Sequence, residues 1–424
     1  MAAAGRPQCP FVHGMPFDPV LREQVLEPHP WLDLARREAP VFYAPKYDAW
    51  FVTRYEDVLR VIKDTERFSS RKVVEPQRLA GLEDALPSGH PMDAGLVNTD
   101  PPEHTRLRKL AQKAFTPKMV ASYEPKAREM ANELVDSFIE QGRMELIHTF
   151  SRELTGRTIT AVIGADPAKA DDFAEWSDNL ITSFVDSPPV TPEREGELIP
   201  EVVRFHTWLT EFIEDRRANP REDYASLLIH AESEDGSPVL ENFEVVGILT
   251  NVISAGLDTT SSLIGLILCN LLDPRERWER TIAEPESIPR AVEETLRHTS
   301  PIHNARRDVL ADVEVGGIKI PAGSVLYLNY SSAQHDEAIF SDPSVFDIDR
   351  DDLDRHFGLG KWKHFCLGAQ LARMEAKVAI EVLADRIPSL RLAPGAGPEV
   401  IESRMAAFLT GLELEWDVPA TVSH

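Results

Sequence analysis

The chain has 424 residues, 42% of them hydrophobic, enough to bury a large core, and its formal net charge of -25 comes from 70 acidic against 45 basic residues. That acidity disfavours attraction to nucleic acid or to an anionic membrane surface, so neither is expected as a partner. The three cysteines, Cys9, Cys269 and Cys366, are spread too widely for a disulfide framework or a clustered zinc or iron–sulfur site, and a reducing, cytoplasmic setting is expected.

In chain order, the N-terminal stretch is broken by prolines and has no apolar run long enough for a signal peptide or an anchor helix. Helical periodicity predicts helices at Trp31 to Arg37, Tyr55 to Lys63, Pro102 to Ala114, Pro117 to Gln141, Ser151 to Gly164, Ala168 to Phe184 and Glu197 to Ala218. Three more are predicted at Phe243 to Leu272, Ile288 to Arg297 and Ala369 to Arg386. Strand patterns are few: Val41 to Tyr43, Ala49 to Thr53, Val313 to Ile320 and Ser324 to Asn329, the last two joined by the turn residues Pro321, Ala322 and Gly323. No repeat, low-complexity tract or Gly/Ser linker marks a boundary. The length permits one large domain or two to three ordinary ones and composition does not choose; the expected class is mainly α with a small β region.

Four segments carry chemistry. Asp100-Pro101-Pro102-Glu103 leads into a helix on which His104 and Arg108 share a face. The segment Val245 to Leu272 could span a bilayer by length, but Asn251, Asp258, Thr259, Thr260, Ser261 and Ser262 interrupt it, which predicts a buried central helix instead. A buried carboxylate beside hydroxyls is costly unless hydrogen-bonded or functional, so Asp258-Thr259-Thr260 next to Ala255-Gly256 is either a candidate site or a satisfied core aspartate. Glu294 and Arg297 share one face of the next helix, and the segment Phe346-Asp347-Ile348-Asp349-Arg350 follows it. Finally, His356-Phe357-Gly358-Leu359-Gly360 is followed by His364-Phe365-Cys366-Leu367-Gly368 and an amphipathic helix. Glycines let backbone approach a flat ligand and the helix start favours a thiolate, although a lone cysteine there is more often a small buried hydrophobe.

These segments, in this order and over nearly the whole chain, resemble those of the soluble bacterial-type cytochromes P450. The resemblance implies that family's fold as a single domain over residues 1–424, with a long buried central helix over haem b, and an axial thiolate from Cys366. It further implies haem contacts from Phe357 and Gly368 and propionate partners at His104, Arg108, Arg307 and His364. Ala255 and Gly256 would open a groove for O2, and Asp258 with Thr259 would manage protons. Glu294, Arg297 and Arg350 would brace the haem loop. One departure stands out: the family places its cysteine four residues after the second glycine, whereas Gly360 is separated from Cys366 by two extra residues, read as a bulge.

By the same resemblance the chain is expected to be a monooxygenase acting on a small, mainly apolar organic substrate, aromatic or terpenoid, by hydroxylation or O-demethylation. The pocket is expected to draw on Leu249, Val252, Ile302, His303, Asn304 and Phe408, with Arg78, His303 and Asn304 as polar anchors. The 58 residues after Cys366 are too few for a fused reductase domain, so a separate ferredoxin or flavodoxin with its reductase is expected to supply electrons. Arg106, Lys109, Lys113, Lys361 and Lys363 would form its docking patch. A peroxide-driven peroxygenase and a noncatalytic haem sensor are the competing readings, and the Asp258-Thr259 pair weighs against both.

Overall fold

The computed structural model describes residues 18, 20–74, 79, 81–88, 90, 95–184, 190–232, 239–401 and 403–418. Its axis is the helix Asn242–Leu272, unbroken over 31 residues and started by a capping box in which Glu241 and Glu244 each accept the other's backbone N–H. Among the described residues it is the one helix long and apolar enough to cross a membrane, and 72% of its most apolar window is buried inside the protein. The helices Arg152–Ile163, Ala170–Phe184 and Ala369–Arg386 pack against this central helix, and Ala369–Arg386 also lies along Pro117–Phe138. The main hydrophobic core wraps these elements, from Phe138 and Phe150 through Ile253 and Ile264 to Val378 and Leu383.

The helices Tyr55–Lys63 and Ala369–Arg386 have the predicted ends. Pro102 to Ala114 divides into a helix Glu103–Ala111 and a tighter turn Gln112–Phe115. The helix expected from Glu197 begins at Pro192, where the Thr191 side chain accepts the Arg194 amide.

Among the described residues, twelve short strands make up the β part: β1 (Val41–Ala44), β2 (Ala49–Val52), β3 (Phe68–Ser69), β4 (Arg143–Glu145), β5 (Asn304–Val309), β6 (Val313–Val315), β7 (Ile318–Ile320), β8 (Val325–Asn329), β9 (Arg391–Leu392), β10 (Glu399–Val400), β11 (Leu409–Gly411) and β12 (Glu413–Glu415). The largest sheet has the order β1-β2-β8-β5-β3, with β2 and β8 parallel. Two strand expectations need correction. Val313 to Ile320 is a hairpin rather than one strand, because Gly316 and Gly317 take φ of 55° and 79° and fold β6 onto β7. The unpredicted β5 pairs with β8 and puts Arg306 and Arg307 on opposite faces of the sheet.

Candidate active site

Two adjoining cavities of about 340 and 250 Å³ share Ala255, Thr259, Thr260, His364 and Cys366 as lining residues. Cys366 sits between the bulged loop and the helix Ala369–Arg386, its amide donating to Leu359 O at 2.7 Å. Burial pushes its thiol up, opposed by the Gly368 amide and by the positive charges of Arg108 and Arg373. Gly358 packs so closely on the preceding helix that a Cβ would meet Leu296 O at 2.3 Å. The two extra residues are absorbed in a single tight turn, Trp362–His364, in which Trp362 takes φ of 62° and is 57% exposed. The insertion thus projects outward and leaves the cysteine in the cavity wall.

The loop is braced from two sides. Arg297 grips Glu294 bidentately at 2.8 and 2.7 Å, and Arg350 Nε lies 3.2 Å from the same carboxylate, all three side chains being buried. Gln334 Nε2 donates to Arg297 O, and its Oε1 accepts the Phe357 amide, so this network reaches the start of the loop at its second residue. On the other side Gly358 N–H donates to His356 Nδ1, leaving the opposite ring N–H to donate to Glu293, which Arg373 holds bidentately at 2.6 and 2.8 Å. Arg373 and His356 hold the Glu293 carboxyl down at about 2 against the opposing effect of burial, which is the largest single influence on it. Glu293 gave no signal in the sequence because it reads as a surface neighbour of Glu294.

Cationic and imidazole groups gather at one edge of the cavities. Arg108 lines one cavity, Arg307 lines the other, and His364 lines both. Burial lowers both guanidinium pKa values, and neither arginine has a carboxylate at salt-bridge distance among the described residues. The rings of His104 and His364 stand 4.1 Å apart, and the buried Nε2 atoms of both lack a hydrogen-bond partner among the described residues. Arg306 pairs with Asp308 at 3.2 Å on the other face of β5.

On the central helix, Ala255, Gly256 and Thr259 line the cavities, and Thr259 Oγ1 donates to Ala255 O at 2.7 Å without breaking the helix. A Cβ on Gly256 would meet Ile159 at 2.8 Å, so this glycine allows the neighbouring helix its close approach. Asp258 turns the other way, accepting from Ser177 Oγ at 2.5 Å and lying 3.2 Å from Arg152, which also pairs with the half-exposed Asp178 at 2.7 Å. Burial raises the Asp258 carboxyl to about 6 although Arg152 opposes it. Arg152 and Ser177 were not legible as site residues, since only the fold brings their helices to Asp258.

The expected pocket wall needs several corrections. Ile302 and Phe408 line the larger cavity, and Val252 lines the smaller one beside Cys366. Leu249 is fully buried in the core and lines neither. His303 also lines neither; it is half-buried near His29, whose protonation it opposes. Asn304 reaches the wall, but its amide donates to Arg404 O and accepts from Asn329. Phe357 is in the core, stacked on Tyr330, rather than at the cavity, whereas Gly368 does line it. Arg78 lies outside the described residues. Among the polar groups of the wall outside the expected set are Thr250, Asn251, Ser254, His206 and Glu375, the last a carboxylate on the inner face of its helix whose pKa burial drives well up.

The profile of the family "Cytochrome P450" matches residues 38–410. The chain belongs to the cytochrome P450 family, and it is a haem-iron monooxygenase of the bacterial kind. It is 35% identical to the mycinamicin IV hydroxylase/epoxidase of Micromonospora griseorubida over 81% of this chain and 83% of that protein. Its fold matches cytochrome P450 CYP109Q5 from Chondromyces apiculatus with a TM-score of 0.82 at 34% identity, covering 95% of this chain and 98% of the other. CYP109E1 from Bacillus megaterium, solved in complex with testosterone, matches equally well, with a TM-score of 0.82, 31% identity and coverage of 94% and 100%. The family carries haem on a cysteine thiolate. The residues here suit that group: a cysteine in the cavity wall, and at one edge two arginines and two imidazoles whose Nε2 atoms have no partner among the described residues.

Proposed function

We propose that this chain holds haem b through the thiolate of Cys366 and hydroxylates or O-demethylates a small, mainly apolar aromatic or terpenoid substrate, using O2. The observation that carries the reading is the convergence on one pair of cavities of Cys366, Thr259, Arg108 and Arg307, neither arginine having a carboxylate at salt-bridge distance among the described residues. Haem in this setting supplies dioxygen binding and activation. The chain's own groups do the rest. Arg108, Arg307, His104 and His364 bind the two propionates, and Ala255 with Gly256 leaves the groove for O2. Thr259 Oγ1 keeps its proton on the Ala255 carbonyl at the cavity wall. Asp258, raised to about 6, is the group that gains and loses a proton, and Arg152, itself held by the half-exposed Asp178, keeps its carboxylate in place without carrying a proton.

Electrons come from a separate ferredoxin or flavodoxin and its reductase, and the setting is cytoplasmic, away from membrane and nucleic acid. Of the five basic residues considered for docking, Arg106 is tied to Glu244 and Lys361 to Asp354 O, so the face rests on the exposed Lys109, Lys113 and Lys363. Removing Lys109 and Lys363 together should slow electron delivery, most at low ionic strength; unchanged kinetics would remove the docking assignment. The central test is the carbon monoxide difference spectrum of the reduced holoprotein beside Cys366→Ser. A red-shifted Soret band lost in the variant supports the reading, and an imidazole-like spectrum in the unaltered protein refutes it.

A further inference from the structure

Above the shared wall, the larger cavity is lined mostly by apolar side chains, among them Val73, Val74, Ile181, Leu263, Met405 and Phe408. Two side chains break that lining without being satisfied. His206, on the helix Pro192–Ala218, is 2% exposed and its Nε2 has no hydrogen-bond partner among the described residues; Thr250, on the central helix, is 6% exposed and its Oγ1 has none either. Both line this cavity. A buried polar atom left alone is costly, which makes such atoms rare away from water or a ligand.

The hydrogen bonds behind His206 fix which form of the ring faces the cavity. Thr210 Oγ1 spends its only proton on the His206 carbonyl at 2.9 Å. His90 Nε2, 3.2 Å from that same oxygen, must therefore donate to it. Burial keeps both imidazoles neutral, so the other nitrogen of His90 is bare. It accepts from His206 Nδ1 at 3.0 Å, and the proton of His206 is thereby placed on Nδ1. The nitrogen that His206, a residue of the cavity wall, leaves without a partner among the described residues is therefore a bare Nε2 that can only accept.

We propose that His206 and Thr250 are the polar anchor of the substrate, and that the substrate is an apolar molecule bearing a hydroxyl, which donates to His206 Nε2 and accepts from Thr250 Oγ1. This rests on the monooxygenase reading above. A neutral acceptor gives no purchase to a carboxylate, and a ketone or ether oxygen at the same place would meet it lone pair to lone pair. The anchor is thus specific for alcohols and phenols over their oxidised or methylated forms, and it holds one end of the molecule by a group other than the bond being oxidised.

The test is a spin-state titration of the ferric holoenzyme with matched alcohol and ketone pairs: 2-adamantanol with 2-adamantanone, menthol with menthone, and testosterone with androstenedione. At least one alcohol should bind about tenfold or more tightly than its ketone, the discrimination that about 1.4 kcal/mol provides. That ratio should fall to about one in His206→Phe. It should also fall in Thr210→Val, which lies outside the cavity lining but frees the His90 proton and with it the orientation of the His206 ring. Ketones that bind as well as alcohols in every pair, no response to any pair, or a ratio that survives His206→Phe would each overturn the proposal. The first of these is read on the unaltered protein, so a misfolded variant does not shelter the idea. A normal thiolate spectrum with no discrimination rejects the anchor alone, whereas loss of that spectrum rejects the underlying reading.

Discussion

Asp258 gives a case where removing a functional charge should make the protein more stable. Its carboxyl is raised from 3.8 to about 6, chiefly by burial. Between those two values the folded state binds a proton that the unfolded chain does not, so stability falls as pH rises through this window and the full penalty is present above about pH 6. At about 1.4 kcal/mol for each pH unit the penalty is about 3 kcal/mol. Asp258→Asn keeps the shape and an acceptor for Ser177, and Arg152 retains its contacts with Asp178 and Ala174 O. The variant should therefore unfold at higher urea than the unaltered holoprotein at about pH 7.5, with the gap narrowed to about half at about pH 5. Turnover should drop by about 100-fold or more as the proton donor is lost. A gap of zero at neutral pH, or one that does not change with pH, would show that the carboxylate is not raised by its burial.

Other substitutions separate the supporting contacts. Glu294→Gln leaves the buried guanidinium groups of Arg297 and Arg350 without their shared charge and should cost about 3–5 kcal/mol in denaturant unfolding; a loss below about 1 kcal/mol would contradict the network's role. Arg307→Ala removes one propionate partner, worth about 1.5–3 kcal/mol for a charged hydrogen bond, so haem should transfer to an acceptor apoprotein about 10- to 100-fold faster. His29, His298 and His303 are depressed by burial from 6.5 to about 3, about 4 and about 4, so the folded state refuses protons that the unfolded chain takes up. Stability should fall as pH drops below about 6.5, by up to about 1.4 kcal/mol per group for each pH unit, and denaturation midpoints between about pH 7 and about pH 5 will read it; His29→Gln should reduce the slope.

Which parts were legible in the sequence follows from which signals are local. Ala369–Arg386 and Tyr55–Lys63 were read with their ends because amphipathic periodicity is a property of the segment itself. Strand β5 was missed because Asn304-Ala305-Arg306-Arg307-Asp308-Val309 shows no apolar alternation, its two arginines serving different faces. The pocket wall failed for a related reason. A helix apolar on nearly all sides does not tell which side meets a cavity, and choosing Leu249 for its hydropathy passed over Thr250, Asn251 and Ser254, whose polarity marks the lining face. Arg152, Ser177 and His206 depend on helix packing across tens of residues, which no single segment encodes.

The pairing of β12 with β4 has a bearing on how the molecule is made. Glu413–Glu415 supplies the hydrogen bonds of Arg143–Glu145, and the Glu145 carboxylate also accepts the Leu412 amide. In the same way β2 waits for β8, its parallel partner from the far end of the chain. A ribosome that has issued the first three hundred residues therefore holds a chain whose two sheet seams are still open, with Phe408 and the rest of the cavity roof yet to arrive. Closure of those seams comes well after the strands β2 and β4 are made, and loss of Glu413–Glu415 would unfasten Arg143–Glu145, an element laid down long before it.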